Sequence, residues 1–349
     1  MKVLITGGCG FLGTNLASHF IENNEKVYII DSLERDGAKK NLDWLQSLDK
    51  KNQLIFLKSD IKENRIINSF FEKYGPFEFI CHVAGQVAMT TSISNPRKDL
   101  ETNIIGTFNI LEAVRKYSPE SFLAFSSTNK VYGDLRSFET LEKETRYIFK
   151  NYPKGLDENT PLDFSTPYGC SKGSAEQYVR DWSRVYNLKT VVFRHSSIYG
   201  GRQYASVNQG WIGWFCKKAL EQSIYHKRNL QIDPFTISGN GKQVRDVLHS
   251  EDLVSLYCLA YEKREVASGE IFNIGGGFLN SLSILELFEI LKEELSIKEL
   301  KFKIIERRTS DQDCFIANIE KAENVLSWKP KISSLEGIKK MLNWSRNLI

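Results

Sequence analysis

The chain has no apolar stretch of membrane-spanning length, no Cys-x-x-Cys pair and no long run of basic residues. Each absence removes a class of function. A spanning helix needs about 20 consecutive apolar residues, so no membrane association is expected. The six cysteines (Cys9, Cys81, Cys170, Cys216, Cys258 and Cys314) stand far apart, which predicts reduced thiols rather than a disulfide framework or a zinc site, and no bound metal. The net charge is only +4. Lys39-Lys40 and Lys50-Lys51 read as solvated helix and loop surface, so nucleic acid is not an expected partner. The opening Met1-Lys2-Val3-Leu4-Ile5 meets glycines too soon for a signal-peptide core, and the expected location is the cytoplasm. There is also no internal repeat and no low-complexity linker.

What the chain does carry is alternation. Its 349 residues suffice for a large α/β unit with a smaller lobe. Short apolar runs at 3–6, 26–30, 54–57, 79–82, 123–126 and 190–194 read as buried parallel strands. Between them, 13–23, 65–74, 98–117 and 168–186 space apolar residues three or four apart, as crossover helices do. The implied fold class is α/β, a Rossmann-like doubly wound parallel sheet. Beyond residue 195 the alternation loosens, and helical stretches at 211–221 and 283–295 predict a smaller C-terminal substrate lobe. The expected division is 1–195, joined by parts of 236–277, for the dinucleotide domain, and mainly 196–349 for the second lobe. A ligand cleft should lie between them.

The first strand runs into Gly7-Gly8-Cys9-Gly10-Phe11-Leu12-Gly13. Glycines there permit a tight turn, close approach of backbone N–H groups to a pyrophosphate, and packing of the next helix on the strand. Gly7, Gly10, Phe11, Leu12 and Gly13 are therefore candidate cofactor contacts. The second strand ends at Asp31, placed to accept hydrogen bonds from the adenosine ribose; an acid there favours NAD over NADP, although Arg35 is near. Asp60-Ile61 either borders the adenine pocket or caps the following helix. Ala84 and Gly85 follow the fourth strand with little bulk and suit a cofactor approach, whereas His82 before them reads as a packed strand-end residue. Asn103 falls inside a predicted helix, where asparagine is a poor former; it either holds backbone geometry near the cofactor or faces solvent.

Ser126-Ser127-Thr128 ends the fifth strand, and Tyr168-Gly-Cys-Ser-Lys172 opens a helix. A spacing of four puts Tyr168 and Lys172 on one helix face. Free tyrosine has a pKa near 10, so a nearby ammonium and the nicotinamide cation would be needed to favour phenolate at working pH. Thr128 would hold the hydroxyl being oxidised, Ser126 would lie along the cofactor, and Tyr168 and Lys172 would also border it.

With these motifs the chain resembles the extended short-chain dehydrogenase/reductase family in its nucleotide-sugar-modifying branch, over nearly its whole length. Further strings carry the likeness: Arg194-His195-Ser196-Ser197-Ile198-Tyr199-Gly200, Gly239 to His249, and Phe272-Asn273-Ile274-Gly275-Gly276. The resemblance implies that the first lobe holds NAD and the second a nucleoside-diphosphate sugar. It assigns substrate contacts to Gln86, Asn129, Lys130, His195, Arg202, Arg245 and Arg308, with Arg245 and Arg308 as diphosphate clamps. It also pairs the helices at 98–117 and 168–186 in a homodimer or homotetramer.

Within the branch, 4,6-dehydratases follow the threonine with Asp and Glu as acid and base. Here Asn129 and Lys130 stand instead, and neither can do that work. The strings 85–93, 126–134, Gly201-Arg202-Gln203 and 209–215 resemble the CDP-paratose 2-epimerase family, which implies a CDP-deoxysugar as the favoured substrate and a place in lipopolysaccharide O-antigen biosynthesis. The implied reaction is transient oxidation at C2 by tightly bound NAD, regenerated each turnover, with hydride returned to the opposite face. A redox epimerase acting on C4 of a UDP-sugar, or on C2 of a GDP- or UDP-hexose, stays open. So does a non-catalytic NAD-binding regulator. The long segment 134–167 is expected either to cover the sugar pocket or to be an inert surface loop.

Overall fold

The computed structural model describes residues 1–349. Seven strands make the main sheet: β1 (Lys2–Thr6), β2 (Lys26–Asp31), β3 (Leu54–Lys58), β4 (Phe79–His82), β5 (Phe122–Thr128), β6 (Lys189–His195) and β7 (Ile271–Ile274). Their order is β3-β2-β1-β4-β5-β6-β7, all neighbours being parallel. Parallel strands are covered on both faces by their crossovers, which is why β4 and β5 are buried at every position. One face packs the helices Phe11–Glu22 and Ser250–Glu262 around Leu16, Phe20, Leu253 and Tyr257. The other packs Asn64–Tyr74, Gly106–Tyr117 and Thr166–Tyr186 around Phe71, Leu111 and Val179.

The six strands read from the sequence are present. β7, within the 236–277 stretch expected to join the first domain, adds a seventh strand by pairing with β6. Lys39 and Lys40 lie on the helix Ala38–Leu48. The stretch read as one helix at 98–117 is interrupted: Pro96–Leu100 and Gly106–Tyr117 are α-helical, but Glu101–Ile105 forms a π turn.

The second lobe gathers the helices Trp211–Lys227, Ile284–Leu295 and Ser334–Arg346 on the strand pair Phe235–Ser238 and Phe302–Ile305, sealed by Phe215, Phe288 and Leu291. Ser283 is the N-cap of Ile284–Leu295 rather than its first turn; its hydroxyl accepts from Glu286 N while the Glu286 carboxylate accepts from Ser283 N. Segment 134–167 contributes nothing to the lining of the cleft between the lobes, and it is not a free surface loop. It forms the hairpin Thr140–Glu142 with Tyr147–Phe149, and Leu135, Phe149 and Leu156 bury with Phe315 away from the cleft. Arg146 fixes it by forking onto Glu286. No helix is long and apolar enough to cross a membrane.

Candidate active site

A cleft of about 970 Å³ runs from the first glycine turn to the second lobe. It opens where the strand order reverses between β1 and β4, the place where doubly wound sheets bind ligands. Gly7, Gly10, Phe11, Leu12 and Gly13 line one end. The turn is closely packed: a Cβ on Gly13 would lie 2.2 Å from the Gly7 carbonyl oxygen, and one on Gly7, at φ +71°, would lie 2.7 Å from Ala84 Cα. The following helix begins at Phe11 with no side chain capping its N–H groups, so that end presents bare donors to an anion. Asp31 accepts from Cys9 N at 2.9 Å and Leu33 N at 2.8 Å. Burial raises its pKa, with the Leu33 hydrogen bond opposing. A glycine cradle, an uncapped helix start and a strand-end carboxylate on one cleft wall fit NAD.

Asp60, Ile61, Ala84, Gly85 and Ser126 also line the cleft. Asp60 does not cap the next helix, whose N-cap is Glu63; its carboxylate accepts from Lys62 N at 3.0 Å. Asn103 faces neither solvent nor the cleft. It sits buried in the π turn behind Gly85-Gln86, where its Oδ1 accepts from Gln86 N at 2.8 Å and its Nδ2 donates to Gln86 O at 2.9 Å. The wider turn lets a side chain bond the backbone of another loop without breaking the helix. His82 is a packed residue as expected, bonded to Thr6 Oγ1 at 2.6 Å and Thr107 Oγ1 at 3.0 Å.

Thr128 and Tyr168 meet at the cleft floor. Burial pushes the phenol up to about 12, opposed by the Thr128 hydrogen bond; Asp99 adds to the rise and Arg35 counters it. Lys172 does not reach the cleft wall. Its ammonium donates to Ser126 O and lies 4.2 Å from the centre of the Phe125 ring. Burial lowers it to about 7, against the pull of Glu176 and Asp99. Lys172 thus donates to a strand carbonyl one helical turn from Tyr168, and burial is the largest influence on the phenol.

At the second-lobe end, Gln86, Asn129, Lys130, His195, Arg245 and Arg308 line the cleft. Asn129 Nδ2 donates to Gln312 Oε1 at 3.2 Å. His195 Nδ1 lies 3.0 Å from Ser126 Oγ, and burial holds this ring neutral, with a pKa of about 3. Arg245 is committed to its own chain, donating to Asp311 Oδ1 at 2.7 Å and Gln312 O at 2.9 Å. Arg308 donates to Val207 O at 2.8 Å. Arg202 is outside the cleft: its guanidinium carbon lies 3.5 Å from the centre of the Trp44 ring and 4.9 Å from that of Trp344. Two aromatic faces hold that cation.

Comparison with known proteins decides the family. The model of the family described as GDP-mannose 4,6 dehydratase matches residues 4–341. A CDP-paratose 2-epimerase of Salmonella typhi is 50% identical over 348 residues, covering all of both chains. The chain belongs to the nucleotide-sugar branch of the extended short-chain dehydrogenase/reductases. The solved UDP-glucose 4-epimerase of Thermotoga maritima with UDP-glucose superposes on this family member at a TM-score of 0.82, with 29% identity, over 100% of this chain and 99% of the other. The dTDP-glucose 4,6-dehydratase of Bacillus anthracis in complex with NAD gives 0.77, with 26% identity, over 99% and 97%.

Two residues of this member's site escape motif reading. Asp99 is fully buried and bonds both Gln86 and Ser171; nothing in the sequence marks it, because its partners come from a loop and a different helix. Glu176, also fully buried, holds Arg194 Nη2 at 2.6 Å and Ser127 Oγ at 2.7 Å. Only its place one helical turn after Lys172 signals it.

Proposed function

We propose that this chain is an NAD-dependent epimerase that inverts C2 of a CDP-linked deoxysugar, taking CDP-paratose to CDP-tyvelose. The observation that carries this reading is the threonine–tyrosine–lysine set with Asn129 and Lys130 in place of the acid and base a 4,6-dehydratase needs, in a chain half-identical over its full length to a CDP-paratose 2-epimerase.

Direct removal of the C2 proton would be prohibitive, because no neighbouring carbonyl stabilises the carbanion. NAD bound in the cleft supplies a hydride acceptor and the means of returning the hydride. Tyr168, as phenolate, takes the proton of the C2 hydroxyl and later returns it to the 2-keto oxygen. Thr128 holds that oxygen in line with the phenol. Lys172, through Ser126 O, fixes the end of β5 that carries Thr128. Gln86 and Asn129 border the sugar, which must turn its other face between the two half-reactions, while the second lobe keeps the nucleotide still.

In this reading the cofactor stays bound through turnover, and Asp31 selects NAD. The product serves O-antigen assembly, and the enzyme works in the cytoplasm. The exposed Leu100, Ile105, Phe108, Tyr178 and Val185 on the paired helices form the contact of a homodimer or of one half of a tetramer.

The test is incubation with CDP-paratose in deuterated water. CDP-tyvelose should form without deuterium at C2; solvent deuterium there would end the hydride-return mechanism. A panel of CDP-, UDP- and GDP-sugars decides the base, and turnover of a UDP-sugar at C4 would replace this reading. Tyr168→Phe should lower kcat by roughly 10²- to 10⁴-fold with the fold intact.

A further inference from the structure

Lys130 is unusual among the cations of the cleft wall. Its backbone N–H donates to Thr128 Oγ1 at 3.2 Å, so its side chain starts two residues from the hydroxyl that would hold the reacting oxygen. An ammonium has three N–H donors, and Lys130 Nζ uses one, on Ser310 O at 3.2 Å. The carboxylate beside it, Asp311, is already taken by Arg245 Nη2 at 2.7 Å. Arg245 also spends Nη1 on Val244 O and Gln312 O. Lys130 is thus a cleft-lining cation with open donors two residues along the chain from Thr128, while Arg245, one of the two arginines expected to clamp phosphate, is held by its own loop.

We propose that Lys130 Nζ takes the sugar-side phosphate of the bound nucleotide sugar and thereby places C2, the carbon next to the anomeric centre, at Thr128 and Tyr168. This rests on the nucleotide-sugar reading above and adds the reason for the reacting carbon. In a nucleoside-diphosphate hexose the phosphate oxygen sits on C1, so a phosphate anchored within one lysine side chain of Thr128 brings the C2 hydroxyl to the phenol. C4 lies across the ring and would need the anchor further off.

The same surroundings give the anchor a signature. Burial lowers the amine to about 7, Arg245 and Arg307 pushing the same way against Asp311 and Asp134. A diphosphate adds negative charge and favours the ammonium, so above neutrality binding must take up a proton.

The measurement is calorimetric titration of the NAD-loaded enzyme with CDP-glucose and UDP-glucose, whose diphosphate diesters do not titrate near neutrality, in buffers of different ionisation enthalpy. Somewhat above neutral pH, binding should take up a proton, and the uptake should fade in mildly acidic buffer. Lys130→Met should abolish the uptake and weaken binding by about 10- to 100-fold, the range for a charge-assisted hydrogen bond. Lys130→Arg, always charged, should bind without uptake and so separates charge from folding. No uptake by the wild type, or equal uptake by Lys130→Met, overturns the proposal. A preference for UDP-glucose with uptake intact would refute the CDP reading and leave Lys130 in its role; binding of neither sugar refutes both.

Discussion

Asp99 accepts a hydrogen bond from Ser171, the residue before Lys172 on a different helix. The same carboxylate accepts from Gln86 Nε2 at 2.7 Å, and Ser171 Oγ accepts from Asn103 Nδ2 at 2.9 Å. A buried negative charge is thereby fixed beside Tyr168 and Lys172, and it raises the pKa of both. Asp99→Asn removes the charge and keeps the shape. Both limbs of the kcat/KM profile should then move to lower pH, because phenolate forms sooner and the ammonium is lost sooner. Arg35, Glu176, His82 and His195, the other charged or titratable groups facing the pair, are untouched. A fall in rate with both limbs in place would make Asp99 purely structural.

The glycine turn makes a prediction about cofactor content. A Cβ at position 13 would stand 2.2 Å from Gly7 O and 2.6 Å from Gly8 Cα, and backbone atoms cannot swing aside as a side-chain tip can. Gly13→Ala should open the turn and cost about 1–3 kcal/mol in overpacking. The isolated variant should carry little NAD(H), read as absorbance released on denaturation beside wild type. Wild-type content would mean that the turn tolerates the methyl and does not grip the pyrophosphate.

The parts of this site legible in the sequence are those built from neighbours in the chain. The glycine turn, Asp31 and the Tyr168–Lys172 helix are local patterns, and they arrive at the cleft or beside it because strand ends and helix starts must. Contacts that sequence spacing cannot encode were not legible. β7 enters from position 271 to pair with β6, and the π turn at Glu101–Ile105 looks like ordinary helix in its apolar spacing. The place of segment 134–167 stays open between cover and surface loop in the sequence because its anchors, Glu286 and Phe315, lie far along the chain. For Lys172 the helix spacing gives its place beside Tyr168, but not the strand carbonyl to which its ammonium donates.

The two buried histidines predict acid sensitivity. His82 and His195 are both lowered from 6.5 to about 3, burial first and the charge of Lys172 second. Unfolding releases them to their ordinary value, so between those limits the unfolded chain binds more protons than the folded one. Stability is therefore complete above about 6.5 and is lost as pH falls towards 3, at up to about 1.4 kcal/mol per histidine per pH unit. The thermal midpoint should drop steadily as pH is lowered from neutrality, and His82→Gln should flatten that slope. An unchanged midpoint down to pH 5 would show that both rings accept protons in the folded state.

Arg202 tests the difference between a ligand contact and a structural one. Its guanidinium lies between Trp44 of the first lobe and Trp344 near the end of the chain, with a positive φ of 66°. Arg202 O also accepts from Asn41 Nδ2 at 3.3 Å. These contacts tie the loop after β6 to the helix Ala38–Leu48, beside the cleft rather than in it. A cation over an aromatic face contributes about 0.5–2 kcal/mol, so Arg202→Met, which keeps the stem and the backbone bond, should lower stability by about that much per ring. Arg202→Lys should fall between, because an ammonium cannot stack as a plane. In both variants KM for the nucleotide sugar should match wild type. Denaturant midpoints and initial rates on the same preparations decide it: a raised KM with full stability would place Arg202 on the substrate after all.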